Sequence, residues 1–218
     1  MKHTNAAMLV LGLCSVSLHA GFLEDYQAVC KLKPAEAAPR FESLAKTAPA
    51  AQKNNVLYQA GKRYITLKDY AKAENIASQI TDKKAVLLKM QIAQAQNNWN
   101  IIWKLSETED ITAWSEADQF TAYYLRGSAA MKMGKLDLCE ADTKAALEIV
   151  PNGTLEKAVL YNRMAMICKL RRKEADSLIY YQMIIDMKSL ANYGIYKDAV
   201  REYKRISAIM AKAPEVKK

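Results

Sequence analysis

The stretch YLRGSAAMKMGKLDLCEADTKAALEIVP, residues 124–151, decides the fold prediction for this chain. Apolar and small residues recur at helical intervals on both sides of Gly134, which is typical of two amphipathic helices joined by a short turn. Pro151 ends the second helix because proline cannot continue it. Gly127 falls in the middle of the first helix, where glycine costs about 1 kcal/mol relative to alanine, so we expect a neighbouring helix to approach closely there.

The spacing of Tyr123, Gly127, Gly134, Ala146 and Pro151 resembles a tetratricopeptide repeat, a helix–turn–helix unit of about 34 residues. One such hairpin cannot bury its apolar face alone. The resemblance therefore implies an all-α fold, an α-solenoid of antiparallel helix hairpins whose concave surface binds a partner. An antiparallel helical bundle without repeats is the alternative.

A second copy of the pattern lies upstream. Gly61 precedes Gly127, and Ala73 precedes Cys139, by the same 66 residues, which is close to two repeats. The two best-defined repeats are predicted at residues 54–83 and 120–153. The register stays undefined in residues 83–113 and 154–170.

Looser helical patterns cover the rest of the chain, and we predict one repeat domain over residues 21–218. Pro39 is expected to delay the start of the helix that carries Phe41. Ala175 and Ile179 are expected to anchor the second helix of a hairpin formed by residues 155–170 and 174–187. A closing helix with a basic outer face is predicted from the apolar stripe Ile195, Ala199, Tyr203, Ile206 and Met210.

The first twenty residues are predicted to be a secretory signal peptide. Lys2 supplies the positive start, Ala6 to Leu18 the short apolar run, and Ala20 the small residue before the cleavage site. A lipoprotein acylated at Cys14 is the alternative. No later apolar run reaches the roughly 20 residues that a transmembrane helix needs. We therefore expect a soluble periplasmic or extracellular protein.

Removal of that segment would also remove His3 and His19, the only histidines of the chain. The mature protein would then lack an imidazole for acid–base catalysis or metal binding, so we expect neither an enzyme nor a metal or other cofactor. Cys30, Cys139 and Cys168 show no metal or redox spacing, and Cys139 and Cys168 are each interpreted as small buried hydrophobic residues. Whether Cys139 and Cys168 form a disulfide stays open.

Positive charge is the remaining signal, with 32 Lys and Arg against 23 Asp and Glu. The densest cluster is predicted as a basic surface patch formed by Lys169, Arg171, Arg172 and Lys173. Because export separates the protein from cytoplasmic nucleic acid, an acidic protein or an anionic envelope component is the expected partner of this patch. A solvated turn is the alternative.

The resemblance further implies that the first helix of each repeat lines a groove that binds a protein or peptide. The groove residues implied in this way are Tyr58, Lys62, Ile65, Tyr124, Ser128, Met131 and Lys132. Carboxylate-clamp members of the family use lysine and asparagine where this chain has Tyr58 with Lys62 and Tyr124 with Ser128, so we expect aromatic and apolar contacts rather than recognition of a terminal carboxylate. Tyr58 and Tyr124 should then lie outside the hairpin core.

Two other functions stay open at this point. One is a cell-envelope enzyme or enzyme subunit acting on wall polymer, for which Glu42 would be the candidate acid. No partner carboxylate can be placed opposite Glu42, which weighs against it. The other is a structural assembly protein that works through its convex face or its ends.

Overall fold

A computed structural model describes residues 20–212. The predicted signal segment, with Cys14, lies outside the described residues except for Ala20. Eleven α-helices make up most of the described chain, and the all-α prediction is confirmed because this part contains no strand. The helices are α1 (Ala20–Cys30), α2 (Pro34–Thr47), α3 (Ala50–Thr66), α4 (Tyr70–Gln79), α5 (Lys84–Ala95), α6 (Trp99–Glu107), α7 (Glu116–Lys132), α8 (Leu136–Ile149), α9 (Leu155–Leu170), α10 (Glu174–Asp186) and α11 (Gly194–Lys212). None of these helices has the length and apolarity required to cross a membrane.

The same turn joins the two helices of four successive hairpins. Each turn contains one residue with a left-handed backbone: Lys68 (φ 60°), Asn97 (φ 58°), Gly134 (φ 72°) and Arg172 (φ 57°). In the third hairpin, the Gly134 N–H donates to Met131 O at 3.2 Å and the Lys135 N–H donates to Ala130 O at 2.8 Å. The other three turns repeat these two bonds at equivalent positions. This arrangement satisfies carbonyl groups that the end of the first helix would otherwise leave without donors.

The left-handed residue gives the four hairpins a common register. Seven residues before it, the first helix carries a buried residue: Gly61, Met90, Gly127 or Ala165. Five residues after it, the second helix carries a side chain with no exposed area: Ala73, Ile102, Cys139 or Ser177. The turn geometry therefore defines the register in α5 and α9, where the sequence pattern left it undefined.

This register corrects one prediction for α10. Ala175 and Ile179 do not anchor the helix, because both are exposed and Ile179 is 56% exposed. The left-handed backbone of Arg172 turns α10 so that Ser177 and Ile184 face inward instead.

The expected effect of Pro39 is also wrong. Helix α2 begins at Pro34 and continues through Pro39. Pro34 occupies the first helical turn, where a backbone N–H has no intrahelical partner, so a proline there starts a helix without losing a bond. Pro39 removes only one bond from the following turn.

Two compact units divide the chain, Met1–Leu125 and Arg126–Lys218, and each has its own apolar core. In the first unit, α2 packs on α3, and α3 packs on α5. In the second, α9 packs on α10 and on α11. The apolar stripe predicted for α11 contributes Ala199 and Ile206 to that core, whereas Met210 at its end is exposed.

The close approach predicted at Gly127 is confirmed within the second unit. A Cβ atom on Gly127 would lie 2.9 Å from Arg163 Nη1 and 3.3 Å from Asp142 Cβ. Arg163 is only 7% exposed and donates a hydrogen bond to Ser128 Oγ at 2.6 Å. The absence of a side chain at Gly127 thus makes room for a buried guanidinium group.

The left-handed turns allow a direct test by substitution. Lys68→Gly and Arg172→Gly should each raise the free energy of unfolding by about 0.5–1 kcal/mol, because glycine adopts this conformation without steric cost. Asn97→Gly should gain less, since asparagine tolerates a left-handed backbone better than lysine or arginine. Urea unfolding measures each change. Gly134→Ala is the reverse control and should lower the free energy of unfolding. A lower free energy of unfolding in the Lys68→Gly or Arg172→Gly protein would contradict the turn geometry.

Candidate functional site

A cavity of about 410 Å³ lies in the first unit between α3, α5 and the start of α7. These three helices are the first helices of consecutive hairpins. Asn55, Lys84 and Thr121 all line the cavity, and each lies six residues before the buried register position of its own helix. The repeated turn therefore brings equivalent positions of three hairpins to one surface.

Tyr58 forms part of the cavity wall and is nearly buried, with 8% of its surface exposed. Lys62 Nζ lies 5.6 Å and Lys84 Nζ 5.8 Å from the centroid of its ring, so two ammonium groups make cation–π contacts with one tyrosine. Burial, with a smaller contribution from the Asp118 carboxylate, raises the pKa of Tyr58 far above its usual 10. The phenol is therefore neutral at physiological pH.

Tyr58 also belongs to the apolar core of the first unit. The expectation that this residue lies outside the hairpin core is wrong, because the packing of α5 on α3 covers its ring. Replacing Tyr58 with alanine would test core packing together with binding.

Lys84 and Asp118 form a half-buried salt bridge at the cavity wall. Lys84 Nζ donates to Asp118 Oδ2 at 2.9 Å and to Oδ1 at 3.1 Å. Their side chains are 22% and 18% exposed. Ser115 Oγ donates a further bond to Asp118 Oδ2 at 2.8 Å. Both carboxylate oxygens of Asp118 are therefore engaged.

Lys62 has a different environment from Lys84. Among residues 20–212 it forms no salt bridge, and its ammonium group lies over the Tyr58 ring although the residue as a whole is exposed. Desolvation by the surrounding protein, with a further contribution from the charge of Arg63, lowers the pKa of Lys62. Within the described part of the chain, the cavity thus holds one cation without a carboxylate partner.

The structure brings only two of the predicted groove residues, Tyr58 and Lys62, into this cavity. Ile65 packs against the core of the first unit, and the Tyr124 ring lies 6.1 Å from the Phe120 ring. Neither lines the cavity. The remaining three residues of the predicted groove belong to the second unit: Ser128, Met131 and Lys132.

Sequence reasoning missed most residues of the cavity wall, including all those that α5 and α7 contribute. Four side-chain amides line the cavity, those of Gln52, Asn55, Gln59 and Gln91. Polar side chains therefore stand beside the Tyr58 ring in the cavity wall. Gln91 occupies in α5 the position that Lys62 occupies in α3, one residue after the buried register position. The left-handed turn at Asn97 would have revealed this equivalence, but asparagine marks such a turn less clearly than glycine does.

The four cations predicted as a basic patch do not form a single unpaired cluster. Arg171 bonds to Asp137 and Glu140 on α8, and Lys169 Nζ lies 2.7 Å from Glu202 Oε2. Acidic side chains from neighbouring helices thus neutralise half of the patch. The other two cations, Arg172 and Lys173, line a cleft of about 690 Å³ together with exposed apolar residues of α11.

Glu202 gives the second unit a defined response to acid. Hydrogen bonds from Arg205 and Lys169 lower its pKa from 4.5 to about 2. Because the folded-state pKa lies below the unfolded-state value, the contribution of Glu202 is fully present above about pH 4.5 and is lost as the pH falls towards 2.

A comparison of Glu202→Gln with the parent protein tests this response. We expect the stability difference between the two proteins to be largest at pH 6 and to shrink between about pH 4.5 and 2. Urea unfolding at several pH values measures it. A difference that stays constant with pH would contradict the role given to the carboxylate.

The three described cysteines are free. Cys139 is buried as interpreted, whereas Cys168 is only half-buried, and Cys30 is exposed. Burial raises the pKa of the Cys139 and Cys168 thiols, which makes both poor nucleophiles at neutral pH. Within residues 20–212, no group of three or more His, Cys, Asp or Glu side chains is arranged to hold a metal ion.

No protein-family model matches the chain, and no curated protein is significantly similar to it. The resemblance to tetratricopeptide repeats thus stays a prediction.

Proposed function

We propose that the mature chain is a non-enzymatic, exported scaffold of tetratricopeptide-like hairpins that holds a protein or peptide segment in the cavity of its first unit. The repeat part of the proposal is supported by the turn that recurs at Lys68, Asn97, Gly134 and Arg172. A solenoid is the arrangement in which such hairpins bury their apolar faces against one another.

The observation that carries the binding proposal is the convergence of Asn55, Lys84 and Thr121 on one cavity. Its volume of about 410 Å³ falls in the range of about 300–1,000 Å³ that is usual for ligand sites. The amide groups in the wall both donate and accept hydrogen bonds, so they can pair with the N–H and C=O groups of an extended main chain.

Export and the absence of catalysis are supported by the sequence. The signal pattern in residues 1–20 supports export, and residues 21–218 contain no histidine. A binding role also agrees with the wall of the cavity, in which the one acidic side chain, Asp118, is engaged by Lys84 and Ser115.

Selection from a displayed library of random heptapeptides tests the function with the mature chain. Ala117, an exposed residue at the cavity rim, is the second residue of α7. Ala117→Trp should obstruct the cavity and weaken the selected peptides at least about tenfold, with unchanged helicity and melting. Ala71→Trp, at the exposed second position of α4, is the matched control and should not change binding. Equal affinity of the parent and Ala117→Trp proteins would place peptide binding elsewhere.

A further inference from the structure

The charges in the wall of the first-unit cavity do not balance. Lys62, Lys84 and Asp118 are its charged residues. Asp118 is bound to Lys84 and Ser115, which leaves Lys62 as the cation without a carboxylate partner in the described chain. The cavity therefore carries one excess positive charge.

The surroundings of Lys62 strengthen this imbalance. Arg63, the next residue on α3, does not line the cavity, but its positive charge lies near enough to Lys62 to contribute to the lowered pKa of that lysine. Lys62 is exposed, so its ammonium group is accessible to a ligand. An incoming carboxylate would compensate this charge.

We propose that the cavity recognises an acidic side chain within an extended peptide, with the aspartate or glutamate carboxylate bound to Lys62 Nζ beside the Tyr58 ring. This proposal rests on the proposed function. Asn55, Gln59 and Lys62 follow one another at intervals of four and three residues on α3 and all line the cavity. A main chain lying over the two amides thus comes within side-chain reach of Lys62.

The carboxylate of a peptide C-terminus has the same charge and acceptor oxygens as an Asp or Glu side chain. The geometry of the cavity favours the side-chain carboxylate as the ligand. A terminal carboxylate is held best by several donors, whereas Lys84 is already committed to Asp118 and only one ammonium group is left for a ligand.

Two displayed libraries of random heptapeptides test the proposal with the mature chain. In one library both ends of each peptide are fused to the display protein, and in the other the C-terminus of each peptide is free. We expect Asp or Glu to be enriched at one position in the library fused at both ends. Exchange of that residue for Asn or Gln in the selected peptide should weaken binding at least about tenfold, as expected for the loss of one charge-assisted hydrogen bond.

Variants of Lys62 connect this preference to the cavity. Lys62→Met should weaken the acidic peptide about tenfold and leave the amide version unchanged, and Lys62→Arg should restore most of the affinity. Lys53→Met, at an exposed position on the same helix, is the matched control and should bind like the parent protein. Circular dichroism verifies that each variant is folded.

The outcomes separate this inference from the function on which it rests. One outcome would overturn the acidic preference and leave the binding function standing. In that outcome, the selected peptides bind the Ala117→Trp protein more weakly but show no enrichment of Asp or Glu, or their affinity does not depend on Lys62. Enrichment confined to the library with free C-termini would show that the terminal carboxylate is the ligand. Peptides that bind the Ala117→Trp protein as well as the parent would overturn the proposed function itself.

Discussion

Asp142→Ala should destabilise the second unit by about 3 kcal/mol, the largest single effect that we expect. Arg126 Nη2 donates to Asp142 Oδ1 at 2.7 Å, and Arg126 Nε donates to Oδ2 at 3.0 Å. The Asp142 side chain is 7% exposed and that of Arg126 is 27% exposed. Removing the carboxylate takes this charged partner away from Arg126, and breaking a fully buried ion pair costs about 3–5 kcal/mol. The partial exposure of Arg126 places this variant at the lower end of that range.

Lys144→Ala is the matched control for a surface ion pair. Lys144 lies 2.6 Å from Glu140 on the same helix as Asp142, but its side chain is 60% exposed. Exposed pairs contribute about 0–1 kcal/mol, so this variant should unfold at nearly the parent urea concentration. Similar losses in the two variants would show that Asp142 has no special role in the packing of α7 and α8.

Gly61→Ala should cost about 1–3 kcal/mol although alanine is the better helix former. A Cβ atom at this position would overlap Leu88 Cδ2 and lie 2.9 Å from Leu88 Cδ1. Leu88 has no exposed area, so any shift of its side chain must disturb the residues packed around it. The steric cost should therefore exceed the gain of about 1 kcal/mol in helix propensity. Gly127→Leu should show a loss of the same size, because Arg163 and Asp142 occupy the space beside it.

A double-mutant cycle with Leu88→Ala isolates the contact. In the Leu88→Ala background the added methyl group has room, so Gly61→Ala should become neutral or stabilising. Gly194→Ala is the control for an unobstructed glycine, since nothing lies within 4 Å of its Cβ position. A stabilised Gly61→Ala protein in the parent background would contradict the packing of α3 on α5.

The hairpins were predictable where glycine and proline mark their ends, as at Gly134 and Pro151. The equivalent turns at Lys68 and Arg172 gave no such signal, because their left-handed conformation is imposed on residues that rarely adopt it. That difference explains why the register of α10 was wrong. One turn residue decides which face of the following helix is buried.

The candidate site was predictable only in part. Tyr58 and Lys62 follow from the register of the best repeat, and both line the cavity. Lys84 and Asp118 come from segments 34 residues apart, and their salt bridge depends on the packing of α5 beside α7. Helical periodicity in a single segment carries no information about such a contact. The polar character of the cavity was missed for the same reason.

Photo-crosslinking of a selected peptide tests the central claim most directly. A peptide that carries a photoreactive residue is bound to the mature chain, irradiated, and its attachment sites are mapped by mass spectrometry. We expect attachment within residues 51–62, 84–91 and 115–121, and competition by the unlabelled peptide should remove it. Attachment at the Arg172–Lys173 turn or along α10, with none in those three segments, would contradict the claim that the cavity between α3, α5 and α7 is the binding site.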